Sequence, residues 1–216
     1  MIKPILFSGP MVRAILAGEK TVTRRPIVLP TDPEGCVLHF VKHFRFVGES
    51  AKAVFGIRNT NQEIIKSCPF GRIKGFLWVR ETWAEGVPGC EEQGGYAYRA
   101  DHEYPDGDGP ARIKWRPAIH MPRDASRITL EVTDIRVERV QAITEDGEGG
   151  AEDEGVCNGD IPIFSASGGV AGVKDNPATY AFREAWDEMY AHRGLGWSVN
   201  PWVWVVRFKH VGRGGA

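Results

Sequence analysis

Apolar positions along this chain change period several times, and each change marks an element. Ile2-Lys3-Pro4-Ile5-Leu6-Phe7 is a short apolar run that predicts a strand, closed by Ser8-Gly9-Pro10. Met11, Val12, Ile15 and Leu16 then repeat at helical spacing, and Pro10 suits the first turn, where its missing N–H would be unpaired in any case. The pattern predicts a helix over 10–17, ended by Gly18 in a left-handed cap. Thr21-Val22-Thr23-Arg24-Arg25 is β-branched and alternating, which predicts a strand with Thr21, Thr23 and Arg25 on one face.

Farther along, Phe76-Leu77-Trp78-Val79-Arg80 reads as a strand and Tyr96–Ala100 as a hairpin strand. Over Ser126–Arg139 the apolar positions Ile128, Leu130, Val132, Ile135 and Val137 predict one long strand, or two with a bend near Thr133-Asp134. Asn176-Pro177 forms an N-cap and first helical position, followed by a helix over 177–191 with the stripe Ala181, Phe182, Ala185, Trp186, Met189. After the Asn200-Pro201 break, Trp202–Phe208 is a final strand buried on both faces for much of its length. Most strands are separated by loops, with two or three helices interleaved. The expected class is therefore α+β on a mainly antiparallel, curved sheet rather than a βαβ protein. A single domain over 1–216 is expected, with insertions near 30–72, 84–116 and 144–175, where proline, glycine and polar residues break the pattern.

Composition adds limits. The chain has 216 residues, 42% hydrophobic and 25% charged, which excludes a fully disordered, collagen-like or coiled-coil chain. No apolar run approaches the roughly 20 residues needed to span a bilayer, and the apolar start reaches Pro10 too soon for a signal peptide. A cytoplasmic protein with no membrane partner is expected. The net charge of -1 hides an asymmetry: residues 1–82 hold 13 Lys/Arg against 6 Asp/Glu, whereas residues 83–160 hold 8 against 18. The basic third suits a phosphate-bearing ligand, or the two regions neutralise each other across the fold.

The four cysteines, Cys36, Cys68, Cys90 and Cys157, include no CxxC pair and are expected to be reduced. Cys36-x2-His39-x3-His43 with Cys68 could supply zinc ligands if 36–43 were helical. Val37–Val41 reads at least as well as a strand, on which that spacing loses its meaning, so no metal is expected. No GxGxxG, P-loop or GxSxG occurs, and no cofactor is expected.

The stretch with most chemistry is Gly18-Glu19-Lys20-Thr21-Val22-Thr23-Arg24-Arg25. Lys20, at the turn, can fold over the Thr23 face. A buried lysine can lose its proton and activate a hydroxyl, whereas an exposed one would hold phosphate or water. Trp115, between Lys114 and Arg116, could stack on a base, and Arg80 lies beside Trp78. His120 could act as a general acid, contact a base edge or be structural, and Glu81 could pair with Arg80 or with a pocket cation.

This stretch resembles the signature of the ASCH domain, Gly-x-Lys-x-x-Glu-x-Arg, of the PUA-like superfamily: Gly18, Lys20 and Arg25 match, and Thr23 stands where many members have glutamate. The variant Gly-x-Lys-Thr-x-Thr-x-Arg is similar to the branch containing bacterial N4-acetylcytidine amidohydrolase. Lys3–Phe7, Cys68–Gly71, Leu77–Trp83, Lys114–Pro117, His120–Arg123, Ser126–Leu130 and Asn200–Trp204 resemble phage and prophage members.

The resemblance implies a PUA-like β-barrel with flanking helices and amide hydrolysis at N4-acylated cytosine. It implies Lys20 as base, Thr23 as nucleophile and Glu154 as proton shuttle, with Glu145 and Glu152 as rivals for the last role. Arg25, Trp115, His120, Arg80 and Glu81 are the expected substrate contacts. The partner would be a modified nucleoside or nucleic acid, RNA in preference to DNA. Two other readings remain: a non-catalytic module for RNA or modified DNA, and a ribonuclease using Lys20, Arg25 and His120.

Overall fold

The computed structural model describes residues 2–30, 39–47, 50–57, 61–87, 95–102, 113–144, 150–155 and 177–212. The strands are β1 (Lys3–Leu6), β2 (Val22–Pro26), β3 (His39–Val47), β4 (Ser50–Ile57), β5 (Glu63–Ser67), β6 (Phe76–Arg80), β7 (Trp83–Glu85), β8 (Tyr96–Tyr98), β9 (Thr129–Arg139) and β10 (Trp202–Gly212). The helices are α1 (Gly9–Leu16) and α2 (Pro177–Tyr190). The fold is mixed α+β. A five-stranded sheet runs β1-β6-β9-β10-β2, a second sheet runs β3-β4-β5, and β7-β8 is a separate hairpin. Pairing is antiparallel except between β1 and β6. Among the described residues the sheets do not close into a barrel, and β1 and β2 are the edges of the larger one.

Region 30–72, expected as an insertion with only local structure, contributes the whole second sheet. On β4, Ala51, Ala53 and Phe55 alternate toward the larger sheet and are fully buried. Two of the three are alanines, so the alternation carries little hydropathy and reads weakly. These residues share one core with Leu77, Val79, Leu130, Val132, Trp204, Val206 and Phe208. Met11, Val12 and Ile15 of α1 join the same core, so α1 packs at its margin.

Strand β10 is buried on both faces, as its apolar run predicts. Trp204, Val206 and Phe208 face the shared core, whereas Val203 and Val205 face α2. Helix α2 covers that outer face with the expected stripe, including Ala181, Phe182, Ala185 and Trp186. The anticipated bend in β9 is a bulge: Arg207 pairs with Asp134 and Phe208 with Val132, leaving Thr133 as the extra residue. His39 and His43 lie on β3 rather than on a helix, and Cys36 is outside the described residues. Among the described residues no group of His, Cys, Asp and Glu could hold a metal. Cys68 is a free, buried thiol whose pKa burial pushes up to about 11. No helix among the described residues is long and apolar enough to cross a membrane.

Candidate functional site

The turn from α1 into β2 sets the position of Lys20. Gly18 has φ +79, the left-handed conformation expected of the cap. The Ala14 carbonyl accepts N–H bonds from both Glu19 and Lys20 at 2.9 and 3.0 Å. The chain thus leaves the helix with Lys20 directed inward, 2% exposed.

Among the described residues strand β2 has one paired neighbour, β10, and its other edge meets residues 153–155. The Asp153 carbonyl accepts from Thr21 and Val22 N–H at 2.9 and 3.1 Å, and Lys20 and Glu154 form an isolated antiparallel bridge. Gly155 permits this approach. It has φ +69, and a Cβ there would stand 2.8 Å from Ala14 Cβ and 2.9 Å from Lys20 Cβ.

Glu154 collects two cations at this edge, Lys20 and Arg24. Thr23 and Arg25 pair with Val206 and Trp204 and so share the core-facing side, whereas Arg24 pairs with Val205 on the α2 side. Because Glu154 lies off the edge, its Oε2 accepts from Lys20 Nζ at 2.7 Å and its Oε1 from Arg24 Nη1 at 3.0 Å. Its main-chain carbonyl accepts a second bond from Lys20 Nζ at 2.8 Å. Arg24 also reaches Glu138 Oε1 through Nε at 3.0 Å and Nη2 at 2.8 Å. Lys20, Arg24 and Glu154 are all buried.

Burial lowers the pKa of Lys20 from its ordinary 10.5; Glu154 opposes the shift, and Arg25 and Arg24 add to it. Arg25 donates through Nη1 to Tyr190 Oη at 3.3 Å and through Nη2 to the Leu6 carbonyl at 2.6 Å. The Phe7 ring lies 5.9 Å from Lys20 Nζ and 5.3 Å from the Arg25 guanidinium carbon.

These groups line one pocket. Lys20, Thr23, Arg24, Arg25 and Glu154 form its polar side, and Met11 with Phe182, Ala185, Trp186 and Met189 forms its apolar side. Its cavity is about 20 Å³, room for roughly one or two waters. Thr23 is 3% exposed and, among the described residues, its hydroxyl makes no side-chain hydrogen bond. Of the rival carboxylates, Glu152 is exposed and Glu145 lies outside the described residues.

Four of the expected site residues therefore converge, and four lie away from this pocket. Glu81 is buried and bound by Arg127 through two bonds of 2.9 and 3.0 Å. Arg127 also takes Asp101 at 2.7 and 2.8 Å and stacks 4.0 Å from the Tyr98 ring centre. Burial lowers the pKa of Arg127, but the hydrogen bonds and charges of Glu81 and Asp101 outweigh it and raise it above the ordinary guanidinium value. Arg80 stacks 4.8 Å from the Trp78 ring. Trp115 is half-buried, with the His102 ring at its edge and Arg99 5.7 Å from its ring centre. His120 is exposed on a one-turn segment, Ala118–His120.

Sequence reasoning missed Arg24, Glu138 and the α2 wall. Arg24 stood in the stretch singled out, but strand alternation assigned it to the face opposite Thr23. The Glu154 carboxylate, beyond the strand edge, brings Arg24 beside Lys20. The Phe182, Ala185, Trp186 and Met189 stripe was legible as apolar, without any sign that it would roof this edge. No protein-family model, curated protein or solved structure matches this chain.

Proposed function

We propose that the chain is an ASCH-type, PUA-like amidohydrolase that cleaves the amide of N4-acylated cytosine or cytidine, with Lys20 as base, Thr23 as nucleophile and Glu154 as the group that orients Lys20. The observation that carries this reading is the bonding of Lys20. A neutral amine has two N–H bonds and one lone pair. Two bonds from Nζ go to Glu154, to Oε2 and to the main-chain oxygen. Among the described residues no third partner holds it. Burial favours the neutral form of Lys20, and in that form the lone pair can accept the hydroxyl proton of a neighbour lining the same cavity.

The chemistry then balances without a cofactor. Lys20 takes the Thr23 proton as Oγ1 bonds to the acyl carbon, and the carbonyl π pair moves onto oxygen. The positive charge of Arg25 favours that oxyanion. Collapse breaks the C–N bond, and the ammonium of Lys20 returns its proton to the departing exocyclic nitrogen. Water, deprotonated by Lys20, then cleaves the acyl-threonine ester and releases a carboxylate and free Thr23.

The test is deacetylation of N4-acetylcytidine by the purified protein beside Lys20→Ala and Thr23→Ala. The expected result is turnover by the parent, lost in both variants. Folded parent protein without turnover overturns the reading, and a protein that binds RNA equally well with Thr23→Ala would be a binding module instead.

A further inference from the structure

Among the described residues, each pocket cation except one has a carboxylate partner. Lys20 and Arg24 share Glu154, and Arg24 also holds Glu138. Arg25 has no carboxylate within ion-pair distance among the described residues, and its Nε is buried without a hydrogen-bond partner. Its guanidinium is nevertheless fixed in place by Tyr190 Oη, the Leu6 carbonyl and the Phe7 ring. A positioned cation with spare N–H groups, beside a small cavity, has the properties of an anion receptor.

We infer that Arg25, held by Tyr190, is a binding subsite for the short-chain carboxylate released from the acyl group, so that the chain binds its own acid product. The assignment deepens the proposed function and rests on it for the origin of the carboxylate. The subsite itself rests only on the charge pairing and the cavity. Three features argue for carboxylate over larger anions. The planar fork of arginine matches the two oxygens of a carboxylate. The cavity of about 20 Å³ holds roughly one or two waters, whose places the two oxygens of a carboxylate could take. Its other walls, Ala185 and Met189, are apolar and suit a short alkyl chain.

The experiment is calorimetric titration of the full chain with acetate, benzoate and inorganic phosphate, using the parent, Arg25→Gln, Arg25→Lys and Tyr190→Phe. Arg123→Gln, at an exposed arginine outside the pocket, is the charge control. Acetate should bind the parent and Arg123→Gln alike, and about tenfold or more weaker to Arg25→Gln, the loss of a charge-assisted hydrogen bond. Arg25→Lys should fall between them, since it keeps the charge without the fork, and Tyr190→Phe should weaken binding less than Arg25→Gln. Benzoate should bind more weakly than acetate. Arg25→Gln with parent affinity for acetate overturns the assignment, as does a parent that binds no acetate, a result that needs no variant to fold. Phosphate displacing acetate at lower concentration overturns the carboxylate preference. Acetate binding that depends on Arg25, together with no turnover of N4-acetylcytidine, keeps the subsite and removes the proposed substrate.

Discussion

Lys20 and Glu154, 134 residues apart, are joined twice: Nζ donates to Oε2 at 2.7 Å and to the Glu154 carbonyl at 2.8 Å. The main-chain bond fixes Lys20 to the edge segment whatever the carboxylate does. The side-chain bond makes the lysine's protonation depend on Glu154. Burial opposes the charged amine and Glu154 supports it, and burial prevails.

This balance fixes a pH dependence. The folded chain releases the Lys20 proton at a pH below the ordinary 10.5. Between the lowered value and 10.5 the unfolded chain holds more protons, so stability should rise with pH across that window. Deacylation kcat/KM should rise with pH through the same lowered value. Lys20→Arg, which cannot deprotonate, should lose at least about 100-fold in kcat/KM. Rate profiles and urea denaturation at several pH values check both, and Lys20→Met should abolish the stability rise.

Removing Glu154 should cost more than removing Lys20. Glu154→Gln leaves Lys20 and the Arg24 Nη1 bond without their charge partner in a buried site, which should cost about 3–5 kcal/mol. Lys20→Met removes a charge whose burial is already unfavourable and leaves Glu154 with Arg24, so its cost should be smaller. Denaturant midpoints at neutral pH compare them.

Gly155→Ala tests the edge segment. At φ +69 a non-glycine residue costs about 1–2 kcal/mol, before the contacts its Cβ would make at 2.8 and 2.9 Å with Ala14 and Lys20 are counted. Thermal unfolding should show the loss. Turnover should fall with it, because the segment must retreat from Lys20 to make room.

Arg127 offers the opposite separation. Arg127→Met strands the buried Glu81 carboxylate and should destabilise the chain by about 3–5 kcal/mol. Its partners Glu81, Asp101 and Tyr98 do not line the Lys20 pocket. Under conditions where the variant is folded, deacylation by it should match the parent within about twofold. A larger loss would connect the Glu81 cluster to the chemistry.

Local pattern was enough for the elements that form by period. Helix α1 and the glycine that ends it, the stripe of α2, the two-faced burial of β10 and the bend in β9 follow from spacing and backbone preference, which act within a few residues. Lys20 and Thr23 were legible as a pair for the same reason, one turn and one strand apart. The tertiary structure decided what spacing cannot encode. It built the second sheet from 30–72, where alanines hid the alternation, and it put Arg24 in the site by placing a carboxylate beyond the edge of β2. Among the described residues it also gave Lys20 and Arg24 carboxylate partners and Arg25 none. Contacts such as Lys20–Glu154 and Arg25–Tyr190 join residues more than 130 positions apart, and they form because sheet order and helix packing bring the segments together.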